Sequence, residues 1–416
     1  MRNFGTWLVL AAGLLWLSYT LHGFRPVWQP LVESDEDSGG AVRQVLFLGC
    51  AGIAWYQLLL QGKWRLVLSN RFAWVCLALL LGATAIYAER PLLTVKRSVV
   101  FACGLVLIFG VVYLPRDPIR FLLWGSVATV GILAWVSLLM WAALPALCWQ
   151  IPSRPGLAGV AGHPNILGPA LAIGWLLSLG IAPPAHFGQR VFLRWLQLGT
   201  VIALLLTDSI GSYGTAFVGS AVFVLMTAVS YWRAAMVLLL LFLLPFLAAE
   251  AGAISEALLN SMGRDTSLSG RDVLWAEIGR EFFFRPWLGS GYGSFWYEGR
   301  GREIVGTWNP RQSHNAYLDL SLDLGLVGGL LVLGVVCAAM QRGRRMHRSL
   351  RCVGQHRVTA SLLAVPLALL LVGAFSESYF LKMDKFQFFV LAWILLVLDE
   401  RHIASVLRSA LHFARV

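Results

Sequence analysis

Charge is the scarcest feature of this sequence. Asp, Glu, Lys and Arg make up 13% of the 416 residues, while 58% are hydrophobic. A soluble globular chain carries about 25% charged residues. The deficit excludes that class and indicates an integral membrane protein. Cysteine is scarce too, and the six present show no spacing that suggests a metal site or a disulfide framework. No metal and no cofactor are expected. No internal repeat is evident. Charge is nearly absent from the long apolar runs, whereas ion-coupled transporters and pumps place ionisable residues deep in the membrane. Chemistry or binding at the outer leaflet is the alternative this leaves.

What remains is long apolar sequence. Roughly twelve runs have the length and composition of membrane-spanning helices. They are 5–21, 43–60, 72–88, 98–114, 121–146, 165–182, 192–208, 214–230, 234–250, 324–341, 358–374 and 386–398. The fifth is long and the last is short, so either could be tilted or re-entrant. The expected architecture is all-α, divided into spans over 1–250, a large outer loop over 251–322, and further spans with a cytoplasmic tail over 323–416. The first run reads as an uncleaved anchor, with no clear small-residue cleavage site behind it.

The net charge of +12 follows topology and does not indicate a nucleic-acid partner. With a cytoplasmic N-terminus, Lys63, Arg65, Arg71, Arg116, Arg120, Arg190 and Arg194 fall inside, as does the basic run 342–357. The acidic segment Glu33 to Asp37 falls outside, which is the positive-inside asymmetry. Arg90, Lys96 and Arg97 would lie outside and run against it.

The loop 251–322 is too long and too aromatic to be a simple linker. RDVLWAEIGREFFF has helical periodicity, with Ser269 as a cap and Arg271, Trp275, Ile278 and Phe282 on one face. Pro286 stops that helix. GSGYGSFW follows, a glycine-rich turn suited to close approach of backbone to a ligand.

RQSHNAYLDLSLDLGLVGG, residues 311–329, enters the next span. Ser313 is placed to cap a helix whose first turn favours anions. Arg311 and His314 stand beside it. Asn315, Asp319 and Asp323 recur every four residues as a polar stripe, and Gly325, Gly328 and Gly329 allow close helix packing. The plain alternative is a set of polar residues capping the bilayer. Arg271 suits a phosphate because its planar fork makes paired hydrogen bonds, and an internal ion pair is the plain alternative. In GVAGHPNILG, His163 and Asn165 again stand where a loop enters a span, and Asn165 could simply cap it. In ESYFLKMDK, Glu377 is a candidate partner for an arginine.

GRDVLW, RPWLGSGYGSFW and SHNAYLDLSLDLGLVGG, in that order and with GHPNILG before them, resemble the O-antigen ligase and polymerase superfamily of bacterial membrane proteins. The resemblance covers about 155–335 by motif and is nearest to the exopolysaccharide polymerase branch. It implies a GT-C-type helical bundle in the bacterial inner membrane, with a periplasmic loop folded over an outer cavity. It further implies transfer of a glycan from an undecaprenyl-diphosphate carrier to a sugar acceptor hydroxyl, without metal, together with a chain-length regulator as a partner. His314 and Arg271 fall on the family's catalytic positions. The turn TDSIGSYG, 207–214, departs from the family pattern by lacking a basic residue. Arg311, Arg264 or the helix N-terminus could take its place. Tyr292 and Trp296, with Trp275 and Trp287, could stack on sugar faces or form the loop's core. Polymerase, ligase, flippase and non-catalytic scaffold are the readings to be told apart.

Overall fold

The computed structural model describes residues 2–22, 41–65, 67, 72–145, 156–227, 271–297, 299–306, 309–351 and 356–398. The expected span 234–250, the acidic segment 33–37, Arg264 and the proposed cap Ser269 lie outside the described residues. Among the described residues the chain is all helical, with no strand.

The helices are α1 (Arg2–His22), α2 (Ala41–Leu60), α3 (Phe72–Ala83), α4 (Pro91–Tyr113), α5 (Pro118–Ala143), α6 (Pro164–Leu179), α7 (Phe187–Leu206) and α8 (Ile210–Thr227). Then follow α9 (Arg271–Phe284), the short α10 (Arg300–Val305), α11 (Ala316–Arg351), α12 (His356–Ala368) and α13 (Phe386–Leu398). Three of them open on proline at their first position, where a missing N–H costs nothing. Among the described residues, six helices are long and apolar enough to cross a membrane, and five shorter apolar helices accompany them. The expected count of about twelve spans is therefore supported only in part.

The short last run is the centre of the bundle. Every residue of α13 is buried, including Gln387. A helix that is apolar all round and enclosed by others is a core element. Trp393 packs against Phe121 and Phe389. Just before α13, Met383 O accepts a hydrogen bond from Trp16 Nε1 at 3.1 Å, and the Trp16 ring stacks on Phe47 at 3.9 Å.

α11 is broken at its third turn. Gly325 has φ 63° and ψ −167°, so the polypeptide steps out of helical geometry there. The segment after α9 fills the break. Leu326 N and Val327 N donate to Pro286 O and Trp287 O at 2.8 and 3.2 Å. Ser290 N and Gly291 N donate to Leu322 O and Asp323 O at 2.8 and 2.9 Å. The backbone groups freed by the break are thus paired with the loop. Gly289, at φ 67°, packs so closely that a Cβ there would meet the Asp323 carbonyl at 2.6 Å. The glycine-rich turn therefore lets backbone approach backbone at Gly289, while Gly293 of the same turn lines a cavity. Gly325, expected to allow close helix packing, instead breaks its helix and packs closely on the Trp287 and Leu288 backbone.

Candidate functional site

The segment that breaks α11 also organises the loop end of the bundle. α9 spans the residues expected from its periodicity, and its inner face is Leu274 and Ile278, both fully buried. Phe295, Trp296 and Leu322 complete this small core, with Trp275 and Phe282 packed against it. Arg300 anchors α10 to α9 through Glu281 at 2.7 Å and to Glu303 at 3.2 Å. Several loop arginines are accordingly ion-paired, as expected, including Arg280 with Glu277 and Arg285 with Glu89.

Trp275 Nε1 donates to Ser313 O at 2.8 Å, which holds α9 against the loop that carries His314. Arg271 stands one turn before Trp275 on that helix, and the structure describes its backbone alone. Its expected role toward phosphate is untouched by these contacts.

The SHN segment is held from all sides. Ser313 Oγ accepts from Asn315 N at 3.1 Å, and Ser378 Oγ accepts from the same amide at 3.1 Å. Asn315 Oδ1 accepts from Tyr317 N and Leu318 N at 3.0 and 3.2 Å. Asn315 is therefore the cap of α11, where Ser313 was expected. Two amides of the first turn are consequently occupied, which weakens the expected anion site at this N-terminus. Between these two residues His314 adopts φ 55°, the left-handed region that non-glycine residues rarely enter. Its Nδ1 lies 3.3 Å from Gln312 Nε2 and 3.8 Å from Glu377 Oε2. Glu377 was expected to pair with an arginine; among the described residues its ionic neighbour is this imidazole. Among the described residues both contacts are to Nδ1.

The polar stripe on α11 is buried and structural. Asp319 Oδ1 accepts from Trp296 Nε1 at 2.9 Å and from Ser313 N at 3.0 Å, and Oδ2 meets Lys382 Nζ at 3.2 Å. Asp323, one turn on, has a buried Oδ1 with no hydrogen-bond partner among the described residues.

Beside this network lies a cavity of about 170 Å³. It is lined by five basic side chains, Lys96, Arg97, Arg311, Lys382 and Lys385, and by the carboxylates of Asp323 and Asp384. Gln312 lines it too, so one side chain joins the cavity to His314. Arg97 donates to the carbonyl of Gly293 and lies 3.4 Å from that of Trp296. Tyr292 and Trp296 also line the cavity, yet both are buried. The Tyr292 hydroxyl donates to Leu381 O at 2.5 Å, and burial, with the carboxylates of Asp384 and Asp323, pushes its pKa well above the usual phenol value. Their main part is the scaffold, in agreement with the loop-core alternative. Trp287 is 67% exposed and lines none of this.

His163 and Asn165 do not line the cavity. His163 is the cap of α6, its Nδ1 accepting from Asn165 N at 3.1 Å, so the cap is the histidine and not Asn165. This element belongs with the turn after α7: Gly156 packs on the Thr207 carbonyl and Gly168 on Ser209 and Ser212.

Sequence reasoning passed over Lys96, Arg97, Lys382 and Lys385. Lys96 and Arg97 were visible as exceptions to the charge asymmetry. Lys382 and Lys385 stand in the same segment as Glu377.

Residues 196–333 match the family model described as O-antigen ligase. No curated protein matches the chain. The matched stretch holds Arg271, Arg311, His314 and Asn315, and it ends just past the break in α11. The several long apolar helices mark a multi-pass membrane protein, and over residues 196–333 the chain is similar to the O-antigen ligase family.

Proposed function

We propose that this protein is a metal-independent membrane glycosyltransferase of the GT-C type. It moves a glycan from an undecaprenyl-diphosphate carrier to a sugar hydroxyl at the periplasmic face of the bacterial inner membrane. Its product is a polymer of exopolysaccharide or O-antigen repeat units. The observation that supports this most is His314, held in left-handed backbone by flanking hydrogen bonds, with a cation-lined cavity one side chain away. Backbone strain of this kind persists where the surroundings over-determine it, and it clusters at functional sites.

In the reaction the acceptor hydroxyl oxygen attacks the anomeric carbon, and the bond from that carbon to the diphosphate oxygen breaks. His314 Nε2 takes the hydroxyl proton. Undecaprenyl diphosphate leaves with the electron pair, and Arg271 stabilises the charge that develops on it. Displacement in one step inverts the anomeric centre.

The test is a reconstituted assay with undecaprenyl-diphosphate-linked oligosaccharide. His314→Ala and Arg271→Ala insert into the membrane normally and lose transfer. Full activity in either variant removes that residue from the reaction. The family description favours a second product, a single transfer to a lipid A core acceptor, and product length decides: a ladder on the carrier is polymerisation, one addition to the acceptor is ligation. Donor crossing vesicles with no new glycosidic bond would replace both with a flippase.

A further inference from the structure

α9 buries Leu274 and Ile278 in the loop core and leaves its last turn apolar and uncovered. Phe283 and Phe284 are 78% and 79% exposed, and Trp287 and Leu288 just beyond them are exposed as well. One turn earlier on the same face stands an exposed ion pair, Arg280 with Glu277, so the apolar character begins abruptly. Arg285, the charge within the patch, is countered by Glu89 at 3.3 Å. Large apolar side chains gathered in one patch mark a surface that is not made for water.

We infer that the end of α9 and the turn behind it dip into the bilayer, where Phe283, Phe284, Trp287 and Leu288 dock on phospholipid acyl chains. Continuity is the first argument. α11 is long and apolar enough to span a membrane, and Leu326, Val327, Leu330 and Leu331 are exposed on it just past the break. Leu326 N and Val327 N donate to Pro286 O and Trp287 O, which sets the loop aromatics at the top of this lipid-facing surface.

Depth is the second. From Leu326 to Arg342, the first charged residue past the break, α11 rises about 24 Å at 1.5 Å per residue. The hydrocarbon core of a bilayer is about 30 Å thick, so with Arg342 at one boundary the break lies about 6 Å inside the other. The segment paired with it, 286–291, is then at the edge of the hydrocarbon, the level that tryptophan favours.

The backbone is the third. Non-helical backbone at that depth requires partners for its polar groups. Pro286 brings no N–H. The carbonyls of Pro286 and Trp287 accept from α11, and Leu288 O accepts from the Tyr87 hydroxyl at 3.1 Å. Gly289 N, Ser290 N and Gly291 N donate to the carbonyls of Arg285, Leu322 and Asp323. The turn is polar in its backbone, paired there, and apolar in the side chains it turns outward.

The anchor has a consequence for the site. Trp275 of the same helix holds the Ser313 carbonyl, so the depth of Phe284 sets the height of the His314 loop above the lipid. The anchor itself does not rest on the glycosyltransferase reading.

The test uses the full chain in nanodiscs of dioleoylphosphatidylcholine, with no polyprenyl lipid present. p-Benzoylphenylalanine replaces Phe284 in one variant and Arg302, exposed on α10 among charged neighbours, in another. After irradiation, mass spectrometry of the intact chain and its peptides reads the adduct. We expect a chain heavier by one phospholipid from position 284, in yield well above that from position 302. A doubled chain mass would assign the patch to a second copy, and a crosslink within the chain would assign it to the protein's own surface. Either result, no adduct at 284, or equal lipid adducts at both positions overturns the anchor. The variant F283S/F284S/W287S supplies a second readout. It should melt like wild type in detergent, while amide exchange over 271–297 becomes roughly tenfold faster in nanodiscs. Unchanged exchange in the bilayer overturns the anchor as well.

Discussion

His314 Nδ1 and Glu377 Oε2 lie 3.8 Å apart, across two loops that meet only at the end of the bundle. A carboxylate on one ring nitrogen favours the tautomer that carries its proton there, which leaves the other nitrogen able to accept one. Gln312 Nε2 stands 3.3 Å from the same Nδ1, and an amide N–H donating there favours the opposite tautomer, so the two neighbours compete for that nitrogen. In the proposed reaction Glu377 acts as a positioning residue for His314.

Glu377→Gln should lower kcat for glycan transfer on the order of 10- to 100-fold, less than the 10²–10⁴ that a general base contributes. KM should hold, Glu377→Asp should recover part of the loss, and the thermal midpoint should not move. Steady-state kinetics on both variants check this. An equal fall in stability would make the contact merely structural.

Gly325→Ala should be the most damaging glycine substitution at this end. The backbone there is left-handed, and a Cβ would meet Trp287 and Leu288 backbone atoms at 2.3 to 2.6 Å. Strain of ~1–3 kcal/mol from conformation alone adds to that collision. Gly329, four residues on, has open space around its Cβ. Thermal melting in detergent should show a clear loss for Gly325→Ala and almost none for Gly329→Ala. Protease nicking between 285 and 297 should rise only in the first.

His163→Ala should cost stability and spare transfer. The imidazole caps α6, and losing a cap costs about 1 kcal/mol. His163→Asn, which caps as well, should restore the midpoint. A loss of transfer at wild-type stability would bring His163 back into the reaction.

These contrasts show what local sequence pattern carries. α9 was readable because its apolar face repeats at helical spacing and Pro286 closes it. The SHN loop was readable because polar residues at the mouth of an apolar run are chemically conspicuous. The break in α11 was not, since a glycine in an apolar run reads as close packing until the partner segment is seen. Nor was the central place of α13. Lipid and protein interior are equally apolar, so an all-apolar helix carries no mark that separates the two. The cavity was hidden for a third reason. Its cations are ordinary one by one, and only the tertiary structure brings Arg97 to Lys382.

Asp319 offers the sharpest separation of structure from chemistry. Its carboxylate accepts from Trp296 and Ser313 and faces Lys382, so it ties the loop, the SHN segment and the segment before α13 together. Asp319→Ala strands three donors, one of them charged. Removing one partner of a buried ion pair costs about 3–5 kcal/mol. The lower end applies, because the Lys382 side chain is 26% exposed and partly screened. Replacing both, Asp319→Leu with Lys382→Met, removes the stranded charge and should recover much of the stability. The double-mutant cycle on thermal midpoints measures that coupling. The same double variant also removes one cation from the cavity. With Trp296 Nε1 and Ser313 N still stranded, it should melt above Asp319→Ala but below wild type, and bind undecaprenyl diphosphate more weakly than wild type. Recovery of binding together with stability would mean that Lys382 serves Asp319 alone.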